Sequence, residues 1–373
     1  MDESTKSMLM IGGGIIGIIL IVLIVVWIIS LNKDHYVTYE TLETKMVEAS
    51  KKYYAVNPKL LPSDGKEAVL NYDSLVREEY IKPLNEMLQD GDKCTAHIIV
   101  NNNDSVYQYT PYLNCPGNYE TTELYKIILK NNEIVHSGSG LYSDGKGGYF
   151  FRGEVTNNFI KIGELKDDSN KNDNIWVIMG IDSDRTIKIR KYRHLNNTYV
   201  WDNRYNIVKE DNYGYNSFEL SRIKSSLKTI VDDDDSLDKS MLNKLVPKKL
   251  CVGIRKEADT SKNGSIECSV MSEDSYYFGI MAPYEFMRAS LDNNCTSLTS
   301  LSCSNYNYLL TNGSEWSLIA TDENNYKVYY FSGKKYDLST ASNERSIYPT
   351  AYLSNKVFYL SGTGTLSDPY SLK

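Results

Sequence analysis

CTAHIIVNNNDSVYQYTPYLNC, Cys94–Cys115, reads as two strands folded back on each other. Two runs rich in β-formers flank Asn103-Asp104-Ser105-Val106, whose short polar residues suit a tight turn. Folding the stretch about Asp104 and Ser105 sets Ala96 opposite Leu113 and Cys94 opposite Cys115. In that register Ala96, Ile98 and Val100 share a face with Tyr107, Tyr109 and Leu113. A slip of one residue would send the apolar set to the other face and part the cysteines. The spacing suits a cross-strand disulfide.

The other cysteines follow from this one pair. Cys251/Cys268 and Cys295/Cys303 are the economical remaining pairs, each closing a short loop. No C-x-x-C spacing points to zinc, and neither a metal nor another cofactor is expected. Disulfides persist in oxidising compartments. The bulk of the chain is therefore expected outside the cell, with its amino end in the cytoplasm.

Upstream, Met8–Leu31 carries no charged residue over about 24 positions. As a helix it would be roughly 36 Å long, enough to cross a hydrocarbon core of about 30 Å. The run exceeds the apolar core of a cleaved signal and lacks an A-x-A site, so it reads as an uncleaved single-pass anchor with Trp27 near its outer end. Charges flanking the span do not orient it: Lys6 precedes it, while Lys33, Lys45, Lys51 and Lys52 follow. Leu42, Met46, Ala49 and Tyr53 form a helical stripe. Without a breaker before Asn57-Pro58, one helix is expected from about Met8 to Val56. Asp73 is placed to cap a short helix carrying Leu75, Val76 and Tyr80.

An apolar then amphipathic helix, a loop, a short helix and a hairpin resemble the type IV pilin and pseudopilin layout. KKYYAVNPKLLP (Lys51–Pro62) looks like the end of such a rod. Pilins carry a Gly-Phe cleavage point and a Glu early in the apolar run; here MDESTKS leads in, and Met8–Leu31 holds no acid.

Beyond the hairpin, 119–146 reads as a connector with one strand candidate, Leu124–Leu129, and a Gly/Ser-rich joint. From about Gly147, short β-rich runs dominate. In TIKIRKY, Ile187 and Ile189 fall on one face, Lys188 and Arg190 on the other. Asn216 with Glu219 suggests a capping box for a helix burying Leu220, Ile223, Leu227 and Ile230. A second helix is expected near Leu237–Leu245. Strands resume at YYFGIMA, EWSLIA, YKVYYF and TAYL, with a helical turn at YEFMRAS. Strands, helices, then strands predict an α+β domain. The expected organisation is 1–34 tip and anchor, 35–118 pilin-like helix and hairpin, 119–146 connector and 147–373 a mixed domain.

The order of SGSGLYSDG, YFFRGEVTNNFIKI, IWVIMGIDSDRTIKIR, WDNRYN, FGIMAPYEFMRAS, NYNYL, WSLIATDENNYKVYY and YPTAYLSNKVFYLSGTGTLSDPY across Ser137–Tyr370 resembles a surface-protein family of low-GC Gram-positive gut bacteria and mollicute relatives. The resemblance implies a pilin-like module joined to a C-type-lectin fold similar to formylglycine-generating enzymes. Family members often carry Trp-Arg-Ile where this chain has Trp176-Val177-Ile178, and Arg-Pro where it has Tyr348-Pro349.

Catalytic motifs do not emerge. His35, His97, His136 and His194 lie in no HExxH or triad-like pattern. Gly138-Ser139-Gly140 is no nucleophile elbow, and Gly145-Lys146-Gly147-Gly148 lacks the spacing of a phosphate loop. Asp168, Asn170 and Asn172 match the start of a calcium loop, but Asp173 and Met179 replace its Gly and Glu. Asp232–Asp235 reads as a solvated acidic run. The net charge of −7 argues against nucleic acid. A membrane-anchored extracellular surface protein, ligand-binding or adhesin-like and not an enzyme, is expected. Its partners would be host glycan, matrix or cell-envelope protein. The alternative is a minor pilin-like subunit self-associating through its amino-terminal helix. The candidate ligand surface lies around Cys295–Cys303, with Tyr306, Tyr308, Trp316 and Tyr326, since Tyr is abundant at 31 residues and gives contact area at low entropy cost.

Overall fold

A computed structural model describes residues 36–103, 106–163, 172–204, 214–292, 307–309, 311, 313–321, 326–332 and 335–373. The chain is a mixed α+β protein built on antiparallel sheets, in two compact units, the second running Thr122–Lys373.

In the first unit a helix spans Tyr39–Val56. Thr38 is extended, and its hydroxyl accepts the Thr41 N–H at 3.2 Å. The Val37 N–H donates to the Met87 carbonyl instead of to a helical neighbour. This corrects the single helix expected from Met8 to Val56. A β-branched hydroxyl residue offers the first turn a cap, and capping competes with continuing the helix. The apolar stretch Met8–Leu31 lies outside the described residues. Among the described residues no helix is long and apolar enough to cross a membrane.

Leu42, Met46, Ala49 and Tyr53 bury against Leu70, Ile98, Val100 and Leu113. The sheet beneath runs in the order Glu67–Asn71, Thr95–Asn103, Val106–Cys115, Tyr119–Glu120. Its hairpin pairs Ala96 with Leu113 and Val100 with Tyr109, and a disulfide joins Cys94 to Cys115. The short helix Tyr72–Arg77 has Asn71 at its cap position and Asp73 in its first turn. Buried Glu43 accepts hydrogen bonds from Tyr119 and Thr121.

The second unit is organised on a seven-stranded sheet. Its order is Phe278–Gly279, Thr350–Leu353, Ile187–Lys191, Ile175–Ile181, Tyr149–Arg152 and Gly140–Ser143, with Phe159–Lys161 also pairing to Ile175–Ile181. Every residue of that central strand is buried, as its unbroken apolar run requires. At Gly180 the register shifts, and a Cβ would come within 2.3 Å of the Tyr149 carbonyl. A meander of Ser314–Ala320, Lys327–Ser332 and Lys335–Thr340 forms a separate three-stranded sheet.

Local expectations shift in this unit. Leu124–Asn131 is a helix rather than a strand, because Leu124 and Ile128, four apart, share its buried face. The expected connector also holds the strand Gly140–Ser143. The helix Arg222–Asp233 is capped by Ser221, whose hydroxyl accepts the Lys224 N–H, while Asn216 donates to the Thr321 carbonyl. Ile223, Leu227 and Ile230 are buried, and Leu220, outside the helix, is exposed. The helix expected at Leu237–Leu245 is the 3₁₀ turn Lys239–Lys244, started by the Asp238 carboxylate.

Candidate functional site

The strand Ile187–Lys191 alternates as its sequence implies, with Ile187 and Ile189 wholly buried. Its polar face is covered as well. Arg190 pairs with Glu315 at 2.6 Å, and Lys188 pairs with Glu285. Nearby, Arg255 pairs with Glu267 at 2.7 Å, with neither side chain exposed. Burial pushes the Glu315 and Glu267 carboxyls up, against the pull of their arginines. Charges taken out of water persist only when paired and hydrogen-bonded, so each acid is a structural requirement of its cation.

Lys188 opens onto a small cleft lined also by Leu250, Cys251, Tyr284, Glu285 and Tyr352. Three elements build it. The register Tyr352–Lys188 places those side chains side by side on adjacent strands. The strand Lys248–Cys251, tied by the disulfide Cys251–Cys268, supplies a second wall. The helix Pro283–Ala289 supplies Tyr284 and Glu285, and Glu285 also accepts the Ala282 N–H at 3.0 Å.

Cations and rings interleave around this cleft. The Lys188 ammonium lies 5.2 Å from the Tyr352 ring centre and that of Lys248 lies 4.6 Å from it. Lys248 also donates to Asp182 and Asp184, each at 3.0 Å, and to Thr186 at 2.6 Å. Outside the lining of the cleft, Arg288 lies 4.3 Å from the Phe150 ring centre and 5.5 Å from that of Tyr284. Burial alone would pull the Lys188 ammonium down, but Glu285 facing it carries its pKa above the ordinary value. Burial raises the Tyr284 phenol, and burial with Asp182 raises that of Tyr352. Both hydroxyls stay protonated at neutral pH. Among the described residues no hydrogen-bond partner meets either one. The arrangement offers fixed aromatic surfaces and hydrogen-bond donors, which suits holding a polar ligand.

The residues singled out from sequence distribute differently. Trp316 is wholly buried, its indole N–H donating to the Tyr199 carbonyl at 2.7 Å, so it belongs to the core. Tyr308 is half-buried, with its hydroxyl on the Met179 carbonyl at 3.3 Å. Tyr326 is half-buried and its carbonyl accepts the Ala341 N–H. Tyr306, Cys295 and Cys303 lie outside the described residues, as do His35, Asp168 and Asn170. His97 stacks on Tyr112 at 4.9 Å, and burial lowers its pKa. His194 meets the Tyr348 ring edge-on. Within the acidic run, Asp234 is buried and accepts from Asn197 and Ser236, whereas Asp232 pairs with Lys239 at the surface. Among the described residues, Asp90 clusters with Cys94 and Cys115, whose sulfurs are joined to each other.

From sequence, Lys188, Tyr284 and Tyr352 are only parts of strands and a helical turn. A lysine and an arginine alternating with isoleucines was the one signal present, because such a face calls for acids from elsewhere in the fold. No family model, curated protein or solved structure matches this chain.

Proposed function

We propose that this chain is a membrane-anchored extracytoplasmic surface protein, non-catalytic and ligand-binding or adhesin-like. Its second unit would serve as a C-type-lectin-like head. One observation carries the reading: each compact unit contains a disulfide, Cys94–Cys115 in the first and Cys251–Cys268 in the second. Such bonds belong to oxidising compartments. The apolar run Met8–Leu31 would supply the anchor and leave the amino end in the cytoplasm. Host glycan, matrix or another envelope protein would be the partner, met through the aromatic and cationic cleft.

Protease treatment of intact cells expressing the full chain tests the location. Release of fragments containing Cys251–Cys268 before lysis is expected. Digestion only after lysis would overturn the reading.

A second reading, a minor pilin-like subunit, draws on the helix Tyr39–Val56 lying over a four-stranded antiparallel sheet. Crosslinking in native membranes separates the two. A ladder of multimers favours the subunit, and monomer alone favours the anchored binder.

A further inference from the structure

Away from the cleft, the edge of the seven-stranded sheet carries a second set of cations. Tyr142 and Phe150 sit opposite each other on the strands Gly140–Ser143 and Tyr149–Arg152, their rings stacked with centres 6.0 Å apart. Arg152 lies 4.8 Å from the Tyr142 ring centre, and Arg288 lies 4.3 Å from that of Phe150. Two guanidinium groups are thus held on adjoining rings. Arg152 donates to the Ser290 carbonyl at 2.8 Å, while its buried Nε meets no hydrogen-bond partner among the described residues. Arg288 has no hydrogen bond among the described residues, and neither arginine has an ion pair there. This sets them apart from Lys188, Arg190 and Arg255, each of which faces its own acid.

A third cation joins them. Lys262 lies in the segment closed by Cys251–Cys268 and donates to the Asp292 carbonyl at 3.4 Å. It too has no ion pair among the described residues. Burial, and then the charge of Arg152, pull the Lys262 ammonium down, with Asp292 opposing. Asp292 therefore offsets one of the three charges. All three cations are half-buried, so their tips are within reach of a solute. A guanidinium held face-on by a ring keeps its N–H edge for an oxyanion.

We infer that Arg152, Lys262 and Arg288 form a binding site for a phosphate group, free or as a monoester. The sheet edge, the helix Pro283–Ala289 and the Cys251–Cys268 segment each supply one donor group. Donors from three separate elements suit a tetrahedral oxyanion, whereas a planar carboxylate is filled by one guanidinium fork. The charge left after Asp292 also matches a phosphomonoester, which carries about −1.5 to −2 at neutral pH. The site lies outside the lining of the cleft and goes beyond the surface-protein reading.

Isothermal titration of the full-length protein in a maltoside detergent tests it with inorganic phosphate, glycerol 3-phosphate and acetate. At least one phosphate is expected to bind about ten-fold or more tightly than acetate. Comparing the two phosphates tells a free ion from an esterified headgroup. Arg288→Gln and Arg152→Gln should each bring the preferred phosphate down to the level of acetate, and Lys262→Met should weaken it several-fold. Lys59→Met, in the first unit, should leave binding unchanged. Should Arg152→Gln fail to fold, Arg288→Gln and Lys262→Met decide. Acetate binding as tightly as either phosphate, undiminished phosphate binding by the folded variants, or an equal loss in Lys59→Met would overturn the inference. Binding in detergent is independent of cell location, so this failure and a failure of the surface reading are told apart.

Discussion

Arg190 and Glu315 are joined at 2.6 Å inside the second unit, each with only 2% of its side chain exposed. One lies on the strand Ile187–Lys191 and the other on Ser314–Ala320. The pair ties the seven-stranded sheet to the three-stranded meander. Glu315→Gln would strand the guanidinium in the interior. A loss of about 3–5 kcal/mol in urea unfolding is expected, and replacing both partners with Met and Leu should recover most of it. A single variant as stable as wild type would contradict the pairing.

Lys191 gives a pH signature. It is wholly buried and its ammonium donates to the Asp173 carbonyl. Burial draws its pKa from 10.5 to about 8, with Asp173 and Asp234 opposing. Between about pH 8 and 10.4 the unfolded chain keeps a proton that the folded chain has released. Stability from this group therefore rises with pH across that window and is flat below it. Relative to Lys191→Met, wild type should gain on the order of 1–3 kcal/mol between pH 7.5 and 10.5 in denaturant titrations. A flat difference curve would count against the buried amine.

The hairpin staple is testable by removal. Cys94→Ala with Cys115→Ala should cost about 2–4 kcal/mol, seen as a lower unfolding midpoint without reductant. Mass mapping of that variant should still find Cys251 bound to Cys268.

The acidic run separates under substitution. Asp234→Ala removes acceptors from the Asn197 and Ser236 N–H groups and should cost about 1–3 kcal/mol. Asp232→Ala removes only a surface pair and should stay within about 1 kcal/mol. Parallel thermal melts check both, and equal effects would disprove the distinction.

Much of the first unit was legible because its determinants are local. The turn about Asp104 and Ser105 and the alternation around it allow one register, which places Cys94 beside Cys115. The stripe from Leu42 to Tyr53 likewise names its own buried face. Competition between neighbours was harder to read. The cap at Thr38 and the helical Leu124–Asn131 each turn on a balance of small local terms settled by what packs against them.

The candidate site was the least legible part. Lys188 and Glu285 are 97 positions apart, and Arg190 and Glu315 are 125 apart. No periodicity links them. Trp316, Tyr308 and Tyr326 looked alike as aromatic residues in a loop-rich region, yet Trp316 is core. The amino-acid order by itself determined the hairpin register, the helical stripe, the disulfide within the hairpin and the α+β class, because adjacent residues share one backbone period. Only tertiary structure decided which charges are buried, which acid meets which cation, and that Arg288 is left between two rings. Those outcomes depend on desolvation and long-range packing, to which distant segments contribute jointly.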